Sequence, residues 1–408
     1  MSSPHSLLVG YGWFLGVGAV AAIVLWQLVW VRVGRATRGI PTLQLGQALA
    51  AAQAPTGRVC VVVPAHNEAR VIATLVRSLR GETYRDLRVV LALDRCTDDT
   101  AELARAAFGD DCRFEIVAID SCPSDWAGKV HAVHVGVTRS RGAADAEYLL
   151  FADADTVFAP GCIAAALALM RERKLDFLSL LSTLTYRTWF ERVVQLAATL
   201  ELMRQYPLTL ANAATSRRPF ANGQFMLFSR VAYEDVGGHA AVKSALLEDI
   251  ALARRIDARK RAAGLFLAAG LFHCSMYGDW PQFRRGWKRI YTEAADRNAR
   301  RLAHSALRTR WLGTLVPLWM LAGGPVGLLL VAASPAIGWT LVALWSAAMT
   351  VWLGTLVRIA IISRAPVWIA PLHIVGAWLV AGVLDEAATD IRSRTPTRWG
   401  GREYDLGV

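Results

Sequence analysis

The sequence predicts an α/β domain with a mostly parallel sheet, inserted between transmembrane helices. Three observations predict it. Long apolar segments are confined to the two ends, β-branched runs alternate with helical spacings between them, and carboxylates gather where the predicted strands end. A chain that is 54% hydrophobic and 19% charged, with mean hydropathy +0.33, is neither disordered nor wholly soluble. The net charge of +12 admits two classes of partner, nucleic acid or an anionic membrane face. Six cysteines without a CxxC or CxxxC pair exclude a disulfide scaffold and a zinc ribbon, and fit reduced cytosolic thiols.

Leu7 to Val31 runs for about 25 residues without a charged side chain, enough to cross a ~30 Å hydrocarbon core. It is too long for a signal peptide, lacks a basic leader, and is followed by Arg32, Arg35 and Arg38. It therefore reads as an uncleaved transmembrane helix over 7–31. Residues 32–56 mix Gly, Pro, Ala and Gln and read as a linker with one short helical piece. The α/β domain follows over 57–282. Over 283–305, Phe283, Trp287, Ile290, Tyr291 and Ala294 recur at helical spacing among Arg and Lys, the pattern of a basic amphipathic helix on a lipid interface. Residues 311–384 hold three further apolar segments, transmembrane or re-entrant: Trp311 to Ala333, Ile337 to Ile362 and Pro366 to Leu384. Residues 385–408 form a C-terminal tail. Ten of the fifteen tryptophans lie within or at the rims of the four segments, as interfacial anchors do.

The central block is read strand by strand. Val59 to Val63 (VCVVV) is a continuous apolar run ending at Pro64, typical of a strand buried on both faces. Ala69 to Leu79 then has helical spacing, Leu87 to Leu93 is a second strand, and Asp98 to Ala107 a second helix. Phe114 to Ile119, Lys129 to Arg139 and Glu147 to Ala152 continue the alternation, which implies right-handed βαβ units. In such sheets ligands bind beyond the carboxyl ends of the strands. Those ends read Pro64-Ala65-His66-Asn67-Glu68, Asp94-Arg95-Cys96-Thr97-Asp98-Asp99-Thr100 and Asp153-Ala154-Asp155. Asp153 and Asp155 offer hard oxygen ligands suited to Mg²⁺ or Mn²⁺, which bridge to phosphate.

Taken in order, these motifs resemble those of the family 2 glycosyltransferases of the GT-A fold, over about 240 residues. PAHNE follows the first strand, DxxTDDT the second, and Gly128-Lys129 opens a helix. DAD comes next, then Asn222 to Leu227 with Gly237-Gly238 downstream, and Glu248-Asp249 within LLEDIALARR. The apolar flanks and the GWKRIY element (Gly286 to Tyr291) most resemble membrane-bound lipid glycosyltransferases, including the hopanoid-associated ones.

The resemblance implies roles. Asp94 would hold the uracil or ribose of a nucleotide sugar, with Pro64, Asn67 and Glu68 bordering the donor. The family often has two adjacent aspartates where this chain has Leu93-Asp94, and Glu68 would serve equally as a helix cap. Lys129, at a helix N-terminus, would meet the diphosphate or the sugar. Asp155 would bind Mg²⁺ or Mn²⁺, and Asp153 the donor sugar or ribose. Asp249 would be the general base, and Asn222, Gly223, Glu248, Arg285 and Trp287 would form the acceptor side. Processive members carry QxxRW, whereas this chain has Gln282-Phe283-Arg284-Arg285-Gly286-Trp287, one residue longer.

The implied activity is metal-dependent, inverting transfer from a nucleotide sugar, UDP-linked, to a membrane lipid acceptor. Two other readings stay open: a processive polysaccharide synthase, and a catalytically silent membrane scaffold. Residues 32–58 carry four Arg and no acid, and residues 284–310 carry nine Arg or Lys against two acids. The positive charge thus sits beside the apolar segments, which argues against nucleic acid. It also predicts a cytoplasmic catalytic block in an integral protein of the bacterial inner membrane, with the tail outside if four segments span.

Overall fold

A run such as VCVVV has no polar face, so it is stable only where both sides of the sheet are covered. The computed structural model describes residues 4–38, 40–205, 208–213, 218–245, 247–395, 397–399 and 402–404, and it sets this run in the middle of the domain. The strands of this domain are β1 (Val59–Ala65), β2 (Leu87–Asp94), β3 (Phe114–Ile119), β4 (Tyr148–Ala152), β5 (Thr156–Phe158), β6 (Phe177–Leu181), β7 (Thr183–Leu184), β8 (Phe225–Ser229), β9 (Ala263–Leu267) and β10 (Phe272–Cys274), and Thr397–Trp399 pairs with Arg402–Tyr404 near the C-terminus. Seven of them form one sheet in the order β3-β2-β1-β4-β8-β6-β9, while β5, β10 and β7 form a small second sheet. Helices Ile72–Arg80, Thr100–Phe108 and Gly128–Arg139 fall where helical spacing predicts them.

Alternation along β1 divides the core in two. Val59, Val61 and Val63 pack with Leu75, Leu79 and Leu167 on one face. Cys60 and Val62 pack with Val130, Val133 and Leu252 on the other. The sheet is mixed rather than wholly parallel. β1 pairs in parallel with β2 and β4, but β8 runs antiparallel between β4 and β6. This reversal brings the start of β8 to the edge where β1, β2 and β4 end, because Phe225 pairs with Ala152. Distant segments of sequence are thereby delivered to one edge.

Three boundaries differ from the sequence expectation. Residues 32–56 are not a linker. The first helix continues from Pro4 to Arg38, Thr42 bridges to Leu267, and helix Gln44–Ala52 docks on helix Cys162–Glu172. Its Gly46 is required there, since a Cβ would lie 2.1 Å from the Ala165 carbonyl oxygen. The single amphipathic helix expected over 283–305 is two helices, Trp280–Ala294 and Ala299–Arg310, the second capped by the Asn298 side chain. Phe283, Trp287 and Tyr291 are not turned to lipid either. They pack on Phe190, Val194, Val380 and Leu384, because the protein itself offers that face a closer apolar partner.

Four helical stretches are long and apolar enough to cross a membrane: Gly12–Arg38, Ala299–Val331, Pro335–Ile362 and Val367–Ser393. The first three pack together through Trp26 on Trp352 and Trp319 on Trp345. The tail does not begin at 385 as expected, because the last helix runs from His373 to Ser393; of the residues beyond it, 396, 400–401 and 405–408 lie outside the described residues.

Candidate active site

The edge formed by the ends of β1, β2 and β4 and the start of β8 opens into a cleft of about 790 Å³. Pro64, Asn67, Glu68, Asp94, Lys129, Asp153, Asp155, Asn222, Gly223, Glu248, Asp249 and Arg285 all line it. Twelve residues picked from sequence therefore share one cavity, and Trp287 does not. Trp287 is 3% exposed, lying between Phe283 and Tyr291. At about 100° per residue, two helical positions separate it from Arg285 by roughly 200°, so the two face opposite ways. An acceptor-side role for the Trp287 ring is corrected accordingly.

At the end of β2, Asp94 is 3% exposed and receives both arms of the Arg95 guanidinium, Nε to Oδ1 at 2.9 Å and a terminal nitrogen to Oδ2 at 2.6 Å. Arg95 adopts φ +47°, a left-handed conformation uncommon outside glycine, and Asn67 beside it has φ +57°. The Asn67 side-chain oxygen accepts from the Thr97 amide at 2.8 Å, tying the two strand ends together. His66 Nδ1 lies 2.6 Å from the Asp94 carbonyl oxygen. Asp98 accepts from the amides of Thr100 and Ala69, both at 3.1 Å, so it organises the helix start rather than the cleft. Glu68 does not cap a helix with its side chain: helix Ile72–Arg80 has no side-chain cap. Burial, reinforced by the negative charges of Asp153 and Asp98, pushes the Glu68 carboxyl up to about 7.

The middle of the cleft is organised by one lysine. Lys129 Nζ lies 2.7 Å from Asp153 Oδ1 and 2.6 Å from Glu248 Oε1. Burial alone would lower its pKa, but the two carboxylates outweigh burial and hold the ammonium well above its ordinary value. Glu248 is 5% exposed; burial would raise its carboxyl, and Lys129 instead keeps it below the usual range. Asp249, next in the chain, accepts from the Gly223 amide at 2.9 Å and from its neighbour Ile250 at 2.7 Å. Burial first, then the charge of Glu248, raises its carboxyl to about 6. Gly223 leaves room for this convergence. A Cβ there would stand 3.1 Å from Asp249 Oδ2, 3.3 Å from Glu248 Oε1 and 3.3 Å from Lys129 Nζ. Asn222 is turned into the sheet, donating from Nδ2 to the Leu180 carbonyl at 2.8 Å, so it fixes the loop rather than reaching outward.

Asp155 lies across the cleft floor, its carbonyl oxygen accepting from the Ser275 amide at 3.1 Å. Burial, then the charges of Asp153 and Glu68, raise its carboxyl. Such accumulated negative charge is what a divalent cation relieves. Among the described residues no group of three or more His, Cys, Asp or Glu is arranged to hold a metal by itself. Asp153 and Asp155 nonetheless suit Mg²⁺, which is commonly held by one or two carboxylates together with substrate phosphates and water.

Several lining residues were not singled out from sequence: Arg70, Arg95, Gln224, Tyr277 and Arg289. Arg95 was legible in principle, since it directly follows a strand-end aspartate. Tyr277 was not. It fits only because residue 286 is glycine, where a Cβ would fall 2.0 Å from its hydroxyl. The extra residue of the Gln282-to-Trp287 element thus makes room for an aromatic wall. His131 and His134 flank the Trp126 ring, at 5.4 and 4.8 Å between centroids.

Several solved structures resemble the chain. One is the mannosyltransferase PcManGT from Pyrobaculum calidifontis in complex with GDP-Man and Mn²⁺, 18% identical, covering 82% of this chain and 97% of that one, with TM-score 0.48. Another is glucosyl-3-phosphoglycerate synthase from Mycobacterium tuberculosis with Mn²⁺, UDP and glucosyl-3-phosphoglycerate, 18% identical over 63% of this chain and 84% of that one, TM-score 0.39. A third is S. aureus TarS 1-349, 12% identical over 86% and 96%, TM-score 0.38. No curated protein matches the sequence. The family model for "Glycosyltransferase like family 2" matches residues 55–300, more than half of the chain and the whole run from β1 through the helix that bears Arg285. The chain belongs to that family, and its central domain is a glycosyltransferase domain of the GT-A type.

Proposed function

We propose that the protein transfers a sugar, with inversion, from a UDP-linked donor to a lipid acceptor at the cytoplasmic face of a bacterial inner membrane. The observation that carries this reading is the junction at Lys129, which joins Asp153 on the donor side to Glu248 and hence to the adjacent Asp249. Asp94, braced by Arg95, would receive the uridine, with Pro64, Asn67 and Glu68 along the same wall. Asp155 would hold Mg²⁺ or Mn²⁺, which supplies Lewis-acid stabilisation of the departing diphosphate when bound, with Asp153 meeting the donor sugar or ribose. Asp249 would take the proton of the attacking hydroxyl as the new bond to the anomeric carbon forms and the bond to the diphosphate breaks. A carboxyl raised to about 6 is a stronger base than an ordinary aspartate and is still mostly ionised at neutral pH. Gly223 orients it through the amide. Glu248 is committed to Lys129, and Glu68 and Asp155 lie on the donor side, which leaves Asp249 as the base beside Gly223 among the described residues. That supports direct displacement.

Four long apolar helices and the basic stretches beside them support the membrane reading. Many of their large apolar side chains face outward, including Trp13, Phe14, Leu328 and Leu329. The added residue before Trp287, and the burial of that ring, favour single transfer over processive synthesis.

The test is Asp249→Asn. Transfer should fall about 10²- to 10⁴-fold while nucleotide binding is kept. Full transfer by this variant would overturn the base assignment. Screening nucleotide sugars against membrane lipid extracts by mass spectrometry identifies the donor and acceptor. A protein that binds nucleotide only as a scaffold would transfer none.

A further inference from the structure

We propose that the last apolar helix, His373–Ser393, does not cross the bilayer. It stays on the catalytic side, rests its outer face on lipid headgroups, and delivers the C-terminal tail to the same side as the catalytic domain. The inference takes the membrane reading above as its starting point and adds the topology, three crossings rather than four.

The packing of the helix argues for this. Ion pairs join its second half to the helices on either side of residue 295: Glu386 with Arg284, Asp390 with Lys288, and Asp385 with Arg310 at 2.6 Å. Its inner face, with Ala377, Val380, Leu384 and Ala388, is fully part of the core that contains Val194, Phe283 and Trp287. Gly376 abuts helix Trp189–Gln205 so closely that a Cβ would lie 2.1 Å from the Val193 carbonyl oxygen. Helices Trp189–Gln205 and Trp280–Ala294 belong to the catalytic block, and Arg310 ends the helix that leads from it into the next apolar stretch. Half of the most apolar stretch of this segment is buried within the protein, against 22% to 33% in the other three.

Direction agrees. Thr314 donates to the Ile374 carbonyl at 2.8 Å, while Arg310 reaches Asp385, so the helix runs antiparallel to residues 299–314 and away from the span that follows them.

The outer face identifies its partner. Trp368, Val375 and Trp378 are 59%, 53% and 49% exposed, and Trp311 at the adjoining helix is 54% exposed. Arginines stack on two of these rings, Arg192 at 5.9 Å from Trp368 and Arg310 at 5.0 Å from Trp378. Tryptophan and arginine together suit the headgroup layer, where the ring is half solvated and the cation meets phosphate. The face is also continuous with the apolar helix that begins at Trp311.

The experiment uses the full chain carrying one protease site after Val408 and another in the exposed turn at Gly109-Asp110. Sealed right-side-out and inverted vesicles are digested in parallel. Both sites should be cut only in inverted vesicles; cutting in opposite orientations would overturn the proposal. Release of the protein by alkaline carbonate would overturn the membrane reading as well, which separates the two failures. A second measurement reads depth directly. A fluorophore on W378C, in a Cys112→Ser background, should be quenched more by a headgroup-attached nitroxide than by a mid-chain one, and the reverse order would overturn the headgroup contact.

Discussion

The chain holds two clusters of paired charges built from the same residue types and put to different uses. In the cleft, Lys129 sits between Asp153 and Glu248, and the Glu248 side chain is 6% exposed. Beneath the domain, Arg284, Lys288 and Arg310 pair with Glu386, Asp390 and Asp385, whose side chains are 28% to 47% exposed. Water separates Glu248 from the rest, since Lys129 and Asp153, at 33% and 28%, are as solvated as Lys288 and Asp390. A half-solvated pair gains little, because solvent screens it and holding two long side chains costs entropy, so the second cluster aligns a helix whose buried apolar face does the binding. A pair withdrawn from water cannot lose one member cheaply. The first cluster therefore sets both the charge states of the cleft and the integrity of its walls.

The comparison can be broken at several points. Lys129→Ala should have the largest effect, since it strands Glu248 in a buried position. A destabilisation of about 3 kcal/mol is expected, seen as a lowered melting midpoint, together with a fall in transfer of about 10³-fold. An unchanged midpoint would mean that Glu248 finds water or another partner. Gly223→Ala should come next. The added methyl meets Asp249, Glu248 and Lys129 at 3.1 to 3.3 Å, so transfer should fall between about tenfold and a hundredfold with the melting midpoint nearly kept.

The third effect is one of pH. Asp249 must be ionised to accept a proton, and its carboxyl is raised to about 6, so transfer should increase as pH rises through that value. Below it, transfer should drop about tenfold per pH unit. The residual transfer of Asp249→Asn should lack this acid limb, and retention of the limb would assign it to another group. The smallest effect belongs to Glu386→Gln. Its loss should cost less than about 1 kcal/mol, shrinking further in high salt, with transfer unchanged. A cost like that of Lys129→Ala would erase the distinction between the clusters.

Much of the fold and site was legible in local pattern. VCVVV could only be a strand covered on both faces, and the alternation after it could only be βαβ units. Ligands gather at the carboxyl ends of such strands, so Asp94, Asp153 and Asp155 were legible as neighbours without coordinates. Asp249 and Lys129 entered through the order of motifs and lie in the same cleft. What escaped depends on helix phase and on contacts between distant segments. Trp287 was assigned by its place in a motif, but one added residue turns the ring into the core, and the glycine that adds it admits Tyr277. Asn222 lines the cleft as the motif order implies, yet its amide is spent on the Leu180 carbonyl, a contact that the antiparallel course of β8 provides. Residues 32–56 looked like a linker because composition does not register that Gly46 permits contact with a particular helix.

The last helix marks the boundary most clearly. Its hydropathy is that of a membrane span, and in sequence it cannot be told from one, because apolar content measures the wish to leave water and not the medium entered. Its environment is decided by which surface fits it, and for its inner face that surface is protein: Gly376 against a backbone carbonyl, Ala377 and Val380 against an aromatic core, and acids within reach of three cations. Local periodicity and strand-end chemistry are written into neighbouring residues, so the sheet and its carboxylates could be read directly. Complementarity between surfaces far apart in the chain exists only once the chain has folded.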